Sequence, residues 1–288
     1  MESAAAPAPA PARARLAKAL RNLPALVAAL LLVGAVALAI FAPFVAPHAP
    51  DAVNLARRLL PPGAAGDPLG TDPLGRDVLS RVLFGARISL LVGGVTMLVA
   101  GLIGTCAGLL AGYFPGAVDD ILMRLGDIVL SFPFLLLALI VVAALGPSVR
   151  NLIIVLVLRS WITYGRVVRS QVVEMREVEF VEAARALGAG HVRILLKHVL
   201  PRVAGVAVVV ASFNMAEAIV YEASLSFLGA GVPPPTATWG GMLHDNLLYI
   251  ATAWWTIVFP AAALTLVILA LNVLGDWIRD ALDPNLRL

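Results

Sequence analysis

EFVEAARALGAGHVRILLKHVLP, residues 179–201, is the stretch whose reading decides the fold. Through Leu187 it is built of strong helix formers, with Glu179 and Glu182 in the opening turn, where carboxylates suit the positive end of the helix dipole. Gly188 and Gly190 then interrupt the run as a C-terminal cap would. Val192, Leu195, Leu196 and Val199 recur at i, i+3, i+4 and i+7, so a second helix is expected, with Arg193 and Lys197 on its other face. Pro201 marks entry into the next segment. The expected product is a stiff helix–turn–helix. Its Ala183-Ala184 surface is small and flat enough for another protein's groove to approach closely; the plainer alternative is a loop whose charges keep it soluble.

What surrounds this stretch has the composition of a membrane protein. Of 288 residues only 14% are charged, against ~25% in ordinary soluble chains, while 60% are hydrophobic. Mean hydropathy is +0.93. Such side chains need a solvent other than water, and a bilayer supplies it. A helix crosses the hydrocarbon core with about 20 apolar residues. Residues 23–46, 88–113, 128–145, 203–219 and 253–274 meet that length or approach it. Residues 152–164 form a sixth, shorter candidate, whose amphipathic pattern continues past Tyr164. The first span follows Arg13, Arg15, Lys18 and Arg21, but its apolar core exceeds the ~7–15 residues of a secretory signal, so an uncleaved anchor is expected.

Basic residues orient the bundle. With six spans and both termini inside, fourteen of the 21 Lys and Arg fall in cytoplasmic segments and six outside, Arg159 lying within a span. The organisation expected is a basic, disordered cytoplasmic N-terminus (1–22), a first span (23–46), an external segment (47–87), a core with five further spans (88–275) and a cytoplasmic tail (276–288). The helix–turn–helix then lies in the cytoplasm. A formal charge of +3 is too small and too scattered to imply nucleic acid. The single cysteine, Cys106, excludes an intrachain disulfide, and its apolar surroundings predict a small buried hydrophobe.

Glu182-Ala183-Ala184, three residues, Gly188, eleven more and Leu200-Pro201 together closely resemble the EAA motif of ATP-binding-cassette importer permeases. The family prefers an aliphatic residue where this chain has His198. There the loop is a coupling helix seated in a cleft of the ATPase, so the resemblance implies docking and coupling roles for Glu179, Glu182, Ala183, Ala184, Arg185, Gly188, Leu200 and Pro201. GTDPLGRDVLSR (70–81), continued by GARISL (85–90), is similar to the signature before the second span in C-type subunits of dipeptide/oligopeptide permeases. It contributes Gly70, Thr71, Asp72, Gly75, Arg76 and Asp77 as an external motif. EASLSFLG (222–229), the three prolines at 233–235 and Trp239-Gly240 agree with the same branch.

The resemblance covers nearly everything from residue 23 onward. It implies an all-α, six-span permease of the type I importer kind, in the bacterial inner membrane. It also implies a second permease of similar fold, two ATPase subunits carrying ATP and Mg²⁺, and an extracytoplasmic substrate-binding protein. Dipeptides or oligopeptides are the cargo implied, with nickel, glutathione or another small solute open to the same machinery. This chain would need no cofactor of its own and would not be an enzyme.

Other patterns fail on chemistry. Residues 70–75 have the glycine spacing of a phosphate-binding loop, but Arg76 and Asp77 stand where Lys and Ser/Thr are needed. His48, His191, His198 and His244 share no metal-ligand spacing with one another or with carboxylates, so no metal site is expected. Arg159 and Glu217 are ionisable residues inside spans, which usually mark function. Both fall ~7–11 Å below the outer surface by helical rise, and they are expected to pair or to line a vestibule. A proton-coupled secondary transporter with Glu217 as proton site is the competing class.

Overall fold

The computed structural model describes residues 12–282. Among these every regular element is helical, apart from an isolated bridge between Thr71 and Asp77. Five rods are long and apolar enough to cross a bilayer: α1 (Ala12–Val45, its spanning part from Asn22), α2 (Val78–Tyr113), α5 (Val149–Met175), a composite rod (His191–Phe227) and α10 (Trp255–Leu282). Shorter elements complete the chain: α3 (Ala117–Leu130), α4 (Phe134–Leu145), α6 (Glu179–Ala186) and α9 (Trp239–Asn246). The composite rod consists of α7 (His191–Ile194), a π-helical turn (Leu195–Val199) and α8 (Leu200–Phe227).

Local chemistry sets several boundaries. Asp77 Oδ2 accepts from the Ser80 N–H at 2.7 Å and starts α2. Ser148 Oγ accepts from the Asn151 N–H at 3.1 Å and starts α5. Thr238 Oγ1 does the same for Gly241 at the start of α9. The π turn has its cause in Pro201. A proline there offers no N–H to the Lys197 carbonyl and its ring crowds that oxygen. The turn loosens accordingly, and Leu200 N–H reaches back five residues to the Leu195 carbonyl.

Three expectations change. The span expected at 128–145 is not a straight helix: α3 and α4 meet at 84° across the break before Phe134. Pro133 removes one ladder donor and biases Phe132 away from helical geometry, which permits the bend. The N-terminal segment 1–22 is not a tail throughout, because α1 already begins at Ala12; residues 1–11 lie outside the described residues. Cys106 is exposed, not buried. It lies two residues from both Gly104 and Gly108, about half a turn around the helix, and those glycines occupy the packed face.

That packed face holds the bundle together. Gly104, Gly108 and Gly112 repeat every four residues along α2 and let α5 come into backbone contact. A Cβ at Gly104 would lie 2.2 Å from the Trp161 carbonyl oxygen, and one at Gly108 2.6 Å from that of Gly165. Lipid chains are as apolar as leucine, so close packing and not water exclusion drives such association. The outward faces keep large apolar side chains exposed, among them Leu98, Leu102 and Ile140. At one end of the bundle Tyr113, Val172, Val181, Ile194 and Val199 form a core beneath α6. At the other, Val78, Met242, Ala253 and Trp255 anchor a cap made from residues 46–77 and α9.

Candidate functional site

The end of the bundle beneath α6 carries the residues that the sequence singles out. Leu187 N–H bonds to Ala183 O, Gly188 N–H to Arg185 O and Ala189 N–H to Ala184 O, the last a six-to-one closure typical of a left-handed cap. Gly188 supplies the required φ of +81°. Val181 is fully buried and pins α6 to the bundle, while Glu179, Glu182, Ala183 and Arg185 face outward and Ala184 is half-buried. Arg202 lies over the Phe180 ring at 3.9 Å, tying the start of α8 to α6.

The second arm differs from its expected pattern. Ile194, Leu195 and Val199 are the buried residues, whereas Val192 and Leu196 are exposed. Leu195 and Val199 keep their expected places, while Ile194 is buried in place of Val192 and Leu196 where the chain turns inward after Gly190 and widens at the π turn. Leu187, Val192 and Leu196 are exposed apolar side chains in the same segment as the exposed carboxylates. Nor is this arm a separate helix, since it runs without interruption into the span. Leu200 sits half-buried at the junction and Pro201 is exposed there. His191 packs against Tyr113 and Phe114, its Nδ1 3.1 Å from the Tyr113 hydroxyl.

Arg159 and Glu217 meet. Arg159 Nη1 donates to Glu217 Oε1 at 2.6 Å, with side chains 24% and 38% exposed, so the pair is open to whatever fills the adjoining space. The guanidinium also lies 4.7 Å from the Tyr221 ring centroid and 5.4 Å from that of Phe134. Each partner stands ten residues from the cap-side end of its helix, Val149 in α5 and Phe227 in α8. Equal depth is what permits the contact.

The motif 70–77 is a buried knot. Asp72 Oδ1 accepts from the N–H groups of Leu74 and Arg76 at 2.8 and 2.9 Å, and its Oδ2 from Arg76 Nε at 2.6 Å. Arg76 and Arg81 both reach Asp245 Oδ2 at 3.4 Å, fastening the knot to α9. Thr71 Oγ1 donates to the Arg57 carbonyl, and the Thr71 carbonyl accepts from Trp255 Nε1 at 3.1 Å. Gly70 and Gly75 both adopt positive φ, and a Cβ on Gly75 would fall 1.8 Å from the Asn54 carbonyl oxygen. Glycine is obligatory there on two counts.

One residue that sequence reasoning passed over is Glu222. It is fully buried between α8 and α2, accepting from Ser89 Oγ at 2.8 Å and Ser226 Oγ at 2.9 Å. Its proximity to Ser226 is visible in sequence as i, i+4, but Ser89 lies 133 positions away. Asp245 was likewise invisible as a partner of Arg76 and Arg81. His48, which has no metal-ligand spacing along the chain, is placed by the fold against Asp67 and Asp77.

Known proteins share this architecture. Residues 104–288 match the family model described as the inner membrane component of binding-protein-dependent transport systems. Residues 15–62 match that of the N-terminal transmembrane domain of oligopeptide transport permease C. A dipeptide transport system permease protein, DppC, of Alkalihalophilus pseudofirmus is 39% identical over 93% of this chain and 88% of its own. The di/tripeptide permease DppC of Pseudomonas aeruginosa is 41% identical over 86% and 84%. A glutathione transport system permease, GsiD, of Pectobacterium atrosepticum is 38% identical over 93% and 89%. Among solved structures, the inward-facing MetNI methionine ABC transporter aligns with a TM-score of 0.59 at 20% identity, covering 72% of this chain and 96% of that one. A bundle of spanning rods, a glycine-capped α6 and these matches converge: the chain is a multi-pass membrane permease and belongs to the family of binding-protein-dependent transport system inner membrane components.

Proposed function

We propose that this chain forms half of the translocation pathway of an ATP-driven importer of dipeptides or oligopeptides in the bacterial inner membrane. A second permease of similar fold supplies the other half, two ATPase subunits bind ATP and Mg²⁺, and an extracytoplasmic binding protein delivers cargo. The di- and tripeptide names of its relatives support the substrate class. Both termini and α6 face the cytoplasm, in keeping with the surplus of basic residues on that side.

The observation that carries the mechanism is the union of α6, the Gly188 cap and the composite rod over one buried core. The surface of Glu179, Glu182, Ala183 and Arg185, with half-buried Ala184 between them, is the ATPase seat. Closing of the ATPase pair on ATP binding displaces this seat, and the rod conveys the displacement to the membrane interior and opens the pathway outward; hydrolysis resets it. The ATPases can shift the permease only by binding its two states unequally. Arg159 and Glu217 belong to the pathway wall, as their partial exposure and aromatic neighbours favour.

The test is reconstitution of the assembled complex in liposomes, with uptake of labelled dipeptide measured against ATP and binding protein. Uptake that requires both, and that unlabelled peptides compete for while Ni²⁺ does not, is the expected result. Uptake by the permeases without ATPases would point instead to a secondary transporter. Glu182→Lys reverses a charge at the seat and should weaken ATPase retention on size-exclusion chromatography by about tenfold, corresponding to ~1.4 kcal/mol. A fully retained, active ATPase pair would place docking elsewhere.

A further inference from the structure

Where the cap meets the first span, three side chains from three separate segments converge. His48 follows the end of α1, Asp67 lies in the intervening loop and Asp77 is the N-cap of α2. His48 Nδ1, Asp67 Oδ1 and Asp77 Oδ1 all lie within 4.8 Å of one another. Each atom is buried and without a hydrogen-bond partner. Asp67 and Asp77 are 1% and 3% exposed, so water does not serve those oxygens from outside. Buried carboxylate oxygens are rarely left this way, and an unseen ion is among the few physical reasons for it.

We propose that His48, Asp67 and Asp77 bind a divalent metal ion of the zinc class. The donor set selects the metal: an imidazole with two carboxylates suits zinc, whereas calcium and magnesium prefer oxygen throughout. A tetrahedral zinc held at ~2.0–2.2 Å has ligand–ligand edges of ~3.4 Å. The His48 Nδ1–Asp67 Oδ1 edge is 3.7 Å and the two edges to Asp77 Oδ1 are within 4.8 Å, so the atoms would draw in by at most about 1.4 Å to close on the ion. His48 is 37% exposed, which leaves an approach for the ion and room for water as a fourth ligand.

The surrounding contacts already have the form of an outer shell. Arg57 Nη2 pairs with Asp67 Oδ2, leaving Oδ1 for the metal. Asp77 Oδ2 is engaged by the Ser80 N–H and hydroxyl, which orients Oδ1 in the same manner. Such partners fix ligand direction. Arg57 Nη1 lies 3.3 Å from His48 Nε2. Metal binding puts the imidazole proton on Nε2, so the guanidinium turns from the ring while keeping Asp67. Two carboxylates against one guanidinium leave the cluster a net negative charge, which a dication offsets. The ion would fasten the exit of α1 to the start of α2, a structural role separate from the Arg159–Glu217 pair.

The assembled complex, purified with an affinity tag free of histidine, is stripped with chelator, dialysed and titrated with ZnCl₂. Metal content is read by mass spectrometry and the ligand set by the visible spectrum of Co²⁺ in zinc's place. The expected result is one zinc per chain and a higher melting temperature with zinc. In His48→Gln and Asp67→Asn, zinc affinity should fall by about tenfold or more. Asp67→Asn also disturbs the Arg57 pair and could impair folding; His48→Gln, at a partly exposed position, keeps the test decisive. Unchanged zinc binding in folded His48→Gln, no stoichiometric zinc in the wild type, or preference for Ca²⁺ or Mg²⁺ over Zn²⁺ would each overturn the site.

Discussion

At Gly188 a single backbone angle shapes the turn that ends α6. Its φ is +81°, and open space surrounds the position where a Cβ would stand. A substitution is therefore opposed by conformation alone, with no steric clash to confuse its effect. An L-residue in this region costs about 1–2 kcal/mol, and a β-branched one more. Gly188→Val should thus leave the complex assembled while lowering transported peptide per ATP hydrolysed several-fold. Uptake and phosphate release measured together decide it, and an unchanged ratio would remove the turn from coupling. Glu217 is a different case, because the neutral isostere tests charge and not shape. Glu217→Gln strips the Arg159 guanidinium of its counter-ion in a partly exposed site, a loss of about 1–2 kcal/mol and hence roughly tenfold in uptake. Subunit co-purification serves as the control, and full uptake with normal assembly would exclude the pair from the pathway.

Among elements, the contact between α2 and α5 has little tolerance for added volume. Gly104→Ala would drive a methyl to 2.2 Å from the Trp161 carbonyl, and backbone on both sides leaves little to yield. Overpacking of this kind costs about 1–3 kcal/mol. A depressed melting temperature in detergent is expected, against a neutral or raised one for Gly94→Ala, whose Cβ would meet nothing within 4 Å. The spans were legible because apolar length survives any tertiary arrangement, and the Gly188 cap because helix formers stop abruptly at a glycine. The bend between α3 and α4 escaped because hydropathy carries no direction, although Pro133 was its signal. The burial of Ile194 in place of Val192 and Leu196 escaped because an ideal 3.6-residue period does not anticipate a π turn upstream of Pro201. Glu222–Ser89 and His48–Asp67–Asp77 join segments whose proximity exists only once the helices have packed.

For the whole molecule, sidedness is the property most open to direct measurement. Leu187 and Leu248 are 88% and 92% exposed and belong to opposite ends of the bundle. In a Cys106→Ser background, Leu248→Cys should react with an impermeant maleimide on intact cells, and Leu187→Cys only after permeabilisation. The reverse pattern would invert the orientation taken from the basic residues. Cys106 itself, exposed on α2, is the background signal that this substitution removes.

The buried Glu222 clamp sits close to one extremity of the 37-residue rod His191–Phe227. Were the rod to tilt about this clamp, Glu222 would be its fulcrum. From Glu222 to His191 is ~46 Å along the axis, and from Glu222 to Glu217 only ~8 Å, by helical rise. Pivoting there gears motion down about sixfold, so a ~6 Å stroke at His191 would arrive at Glu217 as ~1 Å. That is a small movement, but enough to stretch the 2.6 Å contact with Arg159 beyond hydrogen-bonding range.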